Sequence, residues 1–253
     1  MRFALKYHSN GSRHALHKMC YNNSKIKTFF EGKGLSYYVR LMCKEDIAQI
    51  TDIDREAFPN EWPPVDYERE LHNWLARYIV ACDDSETGVE PEITVAPKKG
   101  FSKLASRVRQ WFNYEPAFGS GLPPSGRQYI LGFAGFWVMA DEAHITNIAV
   151  REIHRRRGIG ELLLMSMIDL ATGLNASKLT LEVRASNIAA QSLYYKYGFS
   201  QVGLRRGYYT DNKEDAILMS VEDITSASFQ SRLNQLKKAH SQKWGIAVYQ
   251  VAR

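Results

Sequence analysis

Nowhere among the chain's 253 residues do about 18 consecutive apolar residues occur, which excludes a conventional membrane-spanning helix. Cysteine is scarce: Cys20, Cys43 and Cys82 are odd in number and widely spaced. They form neither a secreted disulfide framework nor a metal-ligand spacing, so no bound metal is expected and a reducing cytoplasm is the expected setting. Internal repeats and low-complexity tracts are also missing. Acidic side chains are nearly absent from residues 1–34, where Arg2, Lys6, Arg13, Lys18, Lys25, Lys27 and Lys33 face Glu31 alone. The whole formal charge of +6 therefore lies in that segment, and the rest of the chain is formally neutral.

A basic tail of this kind reads first as a disordered extension, or as sequence upstream of the true start. Its functional alternative is a weak contact with RNA through counterion release. A transit peptide would be richer in Arg; this segment favours Lys, His and Asn. The remainder of the chain is long enough for one sizeable core.

Three units are expected: an extension over 1–34, a catalytic domain over 35–221, and a helical C-terminal extension over 222–253. Ser36 to Met42 reads as a strand, and a helix is expected from Glu45 to Ala57, with Ile47, Ile50, Ile53 and Phe58 on roughly one face. Pro59, Pro63 and Pro64 break the chain before a second helix, about Asp66 to Leu75. Tyr78 to Cys82 and Tyr129 to Met139 read as strands. Between them lies an insertion, about 83–127, rich in Pro, Gly, Ser and charge. Its Leu104 to Phe112 piece is amphipathic; a mobile loop is the leading reading, a partner- or membrane-touching helix the other. Near the C-terminus Phe229, Leu233, Leu236, His240 and Trp244 recur at helical spacing, a stripe that packs on its own domain or forms a dimer seam.

The most informative stretch is the strand Ile145 to Val150, a turn Arg155-Arg156-Arg157-Gly158-Ile159-Gly160, a long apolar helix, and the strand Leu179 to Arg184. A strand entering a helix through an Arg- and Gly-rich turn is an anion cradle: the glycines admit a phosphate, and free N–H groups and the macrodipole of the first helical turn attract it. A dinucleotide fingerprint needs a third Gly where Leu163 stands, and a P-loop needs Gly-Lys-Ser/Thr where Glu161 and Leu162 follow Gly160.

The pattern Arg/Gln-x-x-Gly-x-Gly/Ala that does fit resembles the GCN5-related N-acetyltransferase superfamily. Downstream, Leu181-Glu182-Val183-Arg184-Ala185-Ser186-Asn187, Ala189-Ala190, Leu193-Tyr194, Tyr197-Gly198-Phe199, Arg205-Arg206-Gly207-Tyr208-Tyr209 and Glu214 to Met219 resemble its RimI-type branch. The resemblance covers about Tyr37 to Val221. It implies a mixed α/β fold, a mostly antiparallel sheet splayed at the acetyl-CoA site and flanked by helices, with the Tyr78 and Tyr129 strands as neighbours. It implies acetyl transfer from acetyl-CoA to a protein N-terminus, typically the N-terminal alanine of the eighteenth small-subunit ribosomal protein.

By the same resemblance Ile148, Ala149 and Val150 hold the pantetheine arm through their backbone. Arg156, Arg157, Gly158, Ile159, Gly160 and Glu161 wrap the pyrophosphate, and Asn187 is a further coenzyme contact. Glu182 is the general base and Tyr194 the acid that meets the departing thiolate. Independent chemistry supports Glu182: an amine with a pKa near 8 needs only a modest acceptor, and a carboxylate among Leu179, Leu181 and Val183 is expected to be lifted by desolvation. Its alternative is a solvent-facing strand residue, as clustered Tyr194, Tyr195 and Tyr197 have packing as theirs. Phe58, Pro59, Tyr208 and Tyr209 are expected to wall the acceptor slot. The competing activities are acetylation of lysine or a small amine, and a non-catalytic ribosome- or RNA-associated module.

Overall fold

The computed structural model describes residues 37–59, 64–83 and 128–245, and the backbone of the strand at 248–250. The basic segment and the insertion's Leu104 to Phe112 piece lie outside them.

Among the described residues eight strands form one sheet: β1 (Tyr37–Leu41), β2 (Ala76–Asp83), β3 (Ile130–Met139), β4 (Glu142–Val150), β5 (Lys178–Arg184), β6 (Ser200–Arg205), β7 (Ala216–Val221) and β8 (Val248–Gln250). Their order is β6-β7-β5-β4-β3-β2-β1-β8. Neighbours run antiparallel except at β4–β5 and β1–β8, which are parallel. Among the described residues five α-helices cover the two faces: α1 (Ile47–Ala57), α2 (Tyr67–Leu71), α3 (Ile159–Gly173), α4 (Ile188–Lys196) and α5 (Ala227–Trp244). Burial on both faces explains why β2 and β3 read as nearly continuous apolar runs rather than alternating ones.

On one face α3 and α5 pack with Leu162, Leu163, Met167, Ile168, Leu181, Tyr197 and Leu233. The segment from Leu162 to Ile168 is buried all round, so its one polar member, Ser166, returns its hydroxyl to the Leu162 carbonyl at 2.9 Å. On the other face Ile50 and Ile53 of α1 meet Tyr67, Tyr78, Val80 and Phe133.

The expected first helix holds as α1, preceded by a 3-10 turn at Lys44–Asp46. The second is shorter than expected. Asp66 caps it by accepting the Arg69 N–H, but Asn73 then folds the chain back, its side chain accepting from Leu75 N and its carbonyl from Ala76 N. The C-terminal stripe is α5 as expected, capped by Ser226; the strand β8 beyond it was not foreseen.

Where β1 turns into α1, Arg40 grips Asp46 with two guanidinium bonds of 2.6 and 2.8 Å, and the Cys43 N–H adds a third at 2.8 Å. Burial pushes the Asp46 carboxyl up, but these donors outweigh it and hold the pKa below its ordinary value. Asp46→Ala strands the half-buried guanidinium and is expected to cost about 3 kcal/mol in a urea titration. A depressed carboxylate stabilises fully above its unfolded pKa near 3.9, so this contribution is lost only as pH falls below about 4.

Candidate active site

β4 and β5 pair from Glu142↔Lys178 to Ile145↔Leu181 and then separate. Beyond that point β4 continues to Val150 against β3 alone, and β5 continues to Arg184 against β7 alone. A bulge at Thr146 marks the parting, since Gly135 opposes Asn147 while Phe136 opposes Ile145. The backbones of Ile148, Ala149 and Val150 on one lip, and of Glu182 to Arg184 on the other, thus face a cleft instead of a neighbouring strand. Two carbonyls there already have partners, Val150 accepting from Arg155 Nε at 3.2 Å and Arg184 from Gln191 Nε2 at 3.0 Å; Ile148 has no strand opposite it on that side and can meet a ligand.

The cleft opens toward the turn that starts α3. Arg156 and Gly158 both adopt positive φ, at 63° and 79°, and Gly158 is the cap residue of the helix. Leu162 N donates to the Gly158 carbonyl at 2.9 Å, so the N–H groups of Ile159, Gly160 and Glu161 precede the first intrahelical bond. Arg155, Arg156 and Arg157 are exposed around this end. Two expectations change here. The Glu161 carboxylate is turned away, onto Lys196 and the Tyr197 hydroxyl, so only its backbone is left for an anion. A Cβ on Gly158 would strike Trp244 and His240 of α5 at 2.7 and 2.8 Å, so that glycine faces α5 rather than an approaching phosphate.

Glu182 stands one residue past the parting, its side chain only 8% exposed. His144 Nε2 lies 3.1 Å from one carboxylate oxygen and Arg205 2.9 Å from the other. Desolvation raises its pKa, as the sequence led us to expect, but the hydrogen bond and charge of His144 and the charge of Arg205 outweigh it; the net direction is down. A raised carboxylate is therefore corrected to a depressed one. The His144 ring is fixed from behind: Nδ1 lies 2.8 Å from Thr180 Oγ1, whose hydroxyl donates to Glu142 at 2.6 Å. The sequence reading missed His144. Period-two alternation puts it on one face with Glu142, and Thr180 with Glu182, but the parallel register that sets His144 opposite Thr180 is written in no short motif.

Tyr194 on α4 packs at a tilt of 52° against Phe199, and burial pushes its phenol up to about 12, so it stays protonated. Burial raises the Tyr209 phenol as well, and the nearby Glu182 charge adds to the rise. Its ring lies 3.9 Å beneath the Arg184 guanidinium, which Asp211 and Glu214 hold, and meets the half-exposed Tyr208 at right angles. Glu182, Tyr194, Tyr208 and Tyr209 thus form one neighbourhood. Phe58 instead ends α1 and packs on the core of the α1/α2 face, with Pro59 exposed behind it. Asn187 caps α4 by accepting the Ala190 N–H.

A sheet split beside a helix N-terminus, with an ionised carboxylate and a phenol at the split, defines an N-acetyltransferase fold. The Acetyltransferase (GNAT) family model matches residues 90–199. A putative ribosomal protein bS18-alanine N-acetyltransferase of Bacillus subtilis is 32% identical over 184 residues, 72% of this chain and 93% of that protein. An N-alpha-acetyltransferase of Sulfurisphaera tokodaii is 34% identical over 189 residues, 74% of this chain and 94% of that one. The crystal structure of the ribosomal-protein-S18-alanine N-acetyltransferase of Escherichia coli shares the fold, with a TM-score of 0.50 at 24% identity, covering 74% of this chain and 94% of that one. The chain belongs to the GNAT family of acetyltransferases, resembles its RimI members, and is an acyltransferase using acetyl-CoA.

At Gly158 the positive φ and the contact with α5 act together. Gly158→Ala is expected to destabilise by about 1–3 kcal/mol, read as a lowered urea midpoint.

Proposed function

We propose that this protein acetylates the N-terminal amine of a protein in the cytoplasm, the N-terminal alanine of the eighteenth small-subunit ribosomal protein being the favoured acceptor. The observation that carries the reading is Glu182, ionised, sunk at the strand split and shared by His144 and Arg205. The names of the Bacillus subtilis and Sulfurisphaera tokodaii relatives support the choice of an α-amine.

The cleft fits acetyl-CoA. On the side that β5 leaves uncovered, the backbone of the Ile148, Ala149 and Val150 stretch would hold its pantetheine arm and polarise the thioester carbonyl. The N–H groups of Ile159, Gly160 and Glu161, with Gly158 shaping the turn and Arg156 and Arg157 at its rim, would hold the pyrophosphate. Asn187 would add a contact from the start of α4. Acetyl-CoA supplies the thioester; the residues supply proton handling. Glu182 takes the proton released as the amine attacks, and His144, held by Thr180, orients the carboxylate. Tyr194, neutral across the physiological range, donates to the departing sulfur. Tyr208 and Tyr209 would guide the acceptor, with Phe58 and Pro59 framing the α1 side.

Glu182→Gln is expected to lower kcat at pH 7 by roughly 10²- to 10⁴-fold with little change in acetyl-CoA affinity. The defect should shrink as pH rises through 8, where the α-amine loses its own proton. Near wild-type turnover at pH 7 would return Glu182 to a structural role. Gly160→Leu tests the cradle. A Cβ there meets only Val150 Cγ2, at an ordinary 3.7 Å, so the fold should hold while the longer side chain fills the space between β4 and α3. Calorimetric titration should show acetyl-CoA binding lost. An Ala-terminated peptide should be acetylated faster than its Nα-blocked, lysine-containing counterpart; the reverse order would favour the lysine activity.

A further inference from the structure

The family model ends at residue 199, yet the turn assigned to the coenzyme is touched by a helix that begins at Ala227. α5 runs against α3 from end to end. Gln230 reaches Thr172 near the C-terminus of α3, Lys237 pairs with Asp169 at 2.6 Å, and His240 arrives at Gly158, the cap of its N-terminus. Two side chains of α5 are buried, Leu233 and His240. An apolar stripe needs no imidazole, so the placement of this one, 4% exposed, calls for a partner.

That partner is the Gly158 carbonyl, 3.0 Å from Nε2. A carbonyl only accepts, so Nε2 carries the hydrogen. The same oxygen takes the Leu162 N–H that opens α3, and one turn beyond His240 the Trp244 indole lies against Gly158 itself. Both contacts fall on the residue whose left-handed backbone aims the following N–H groups.

We propose that α5 is a clamp on the coenzyme turn, with His240 and Trp244 as positioning residues that hold Gly158, and through it the N–H groups of Ile159 to Glu161, in the conformation that receives the acetyl-CoA pyrophosphate. The proposal rests on the assignment of that turn to acetyl-CoA. It gives the C-terminal extension a role in coenzyme affinity, apart from acceptor choice or proton transfer. Loss of one hydrogen bond and its packing should loosen the cradle by roughly 5- to 20-fold.

The test is acetyl-CoA calorimetry and steady-state kinetics on the full chain carrying His240→Ala, His240→Gln, Trp244→Ala or Lys237→Ala. His240→Ala and Trp244→Ala should raise Kd and KM for acetyl-CoA by that factor while KM for an Ala-terminated peptide stays within about two-fold. His240→Gln keeps an N–H donor and should recover most of the affinity. Lys237→Ala, which frees α5 from Asp169 away from the turn, should lower the melting temperature without moving Kd. Unchanged acetyl-CoA affinity in folded His240→Ala and Trp244→Ala, or His240→Gln binding as weakly as His240→Ala, would overturn the clamp. Absence of acetyl-CoA binding by the wild type, or full binding by Gly160→Leu, would instead overturn the assignment of the turn.

Discussion

The parting of β4 and β5 after Ile145 and Leu181 is the constraint on which the rest depends. A sheet that stayed zipped would spend the backbone groups of Ile148 to Val150 on its own ladder and bury Glu182 against a neighbouring strand. Two things keep it open. The bulge at Thr146 turns β4 away, and each lip is secured from its outer side, β4 by β3 and β5 by β7. Opening therefore costs each strand one set of partners, not two. The α3 core, buried from Leu162 to Ile168, then fixes the N-terminus of that helix at the mouth of the gap.

Within the cleft, electrostatics decides between two carboxylate designs. Burial alone would have raised the Glu182 carboxyl. His144 and Arg205 make it a depressed one, ionised throughout the physiological range and held in one orientation. Such a group is a weaker acceptor but is always available, and the hydrogen-bonded line from Glu182 through His144 and Thr180 to Glu142 keeps it in place.

Much of this was legible in sequence because it is local. The strand, Arg-Gly turn and apolar helix from Ile145 to Gly173 are contiguous, and the two periodicities announce them. Likewise the α5 stripe of Phe229, Leu233, Leu236, His240 and Trp244 declares one buried face. What that face would meet was not legible, because contact between residues 158 and 240 depends on the length and direction of two helices at once. The sign of the Glu182 shift was hidden for a related reason: its partners come from β4 and β6, and only the register of four strands, β4, β5, β7 and β6, brings them together. The Glu161 carboxylate misled because its position near the glycines suggested an anion site, whereas Lys196 and Tyr197, a helix away, claim it.

The depressed carboxylate also bears on which amine the proposed reaction can use. An α-amine with a pKa near 8 and a lysine near 10.4 differ by roughly 250-fold in their neutral fraction at pH 7. A base raised into the neutral range would offset part of that difference by pulling harder on the bound ammonium. Glu182, held down by His144 and Arg205, cannot, so the acceptor must arrive already poised to lose its proton. On the proposed reading, preference for a protein N-terminus thus follows from the same two partners that orient the catalytic carboxylate, with no separate device required to reject lysine.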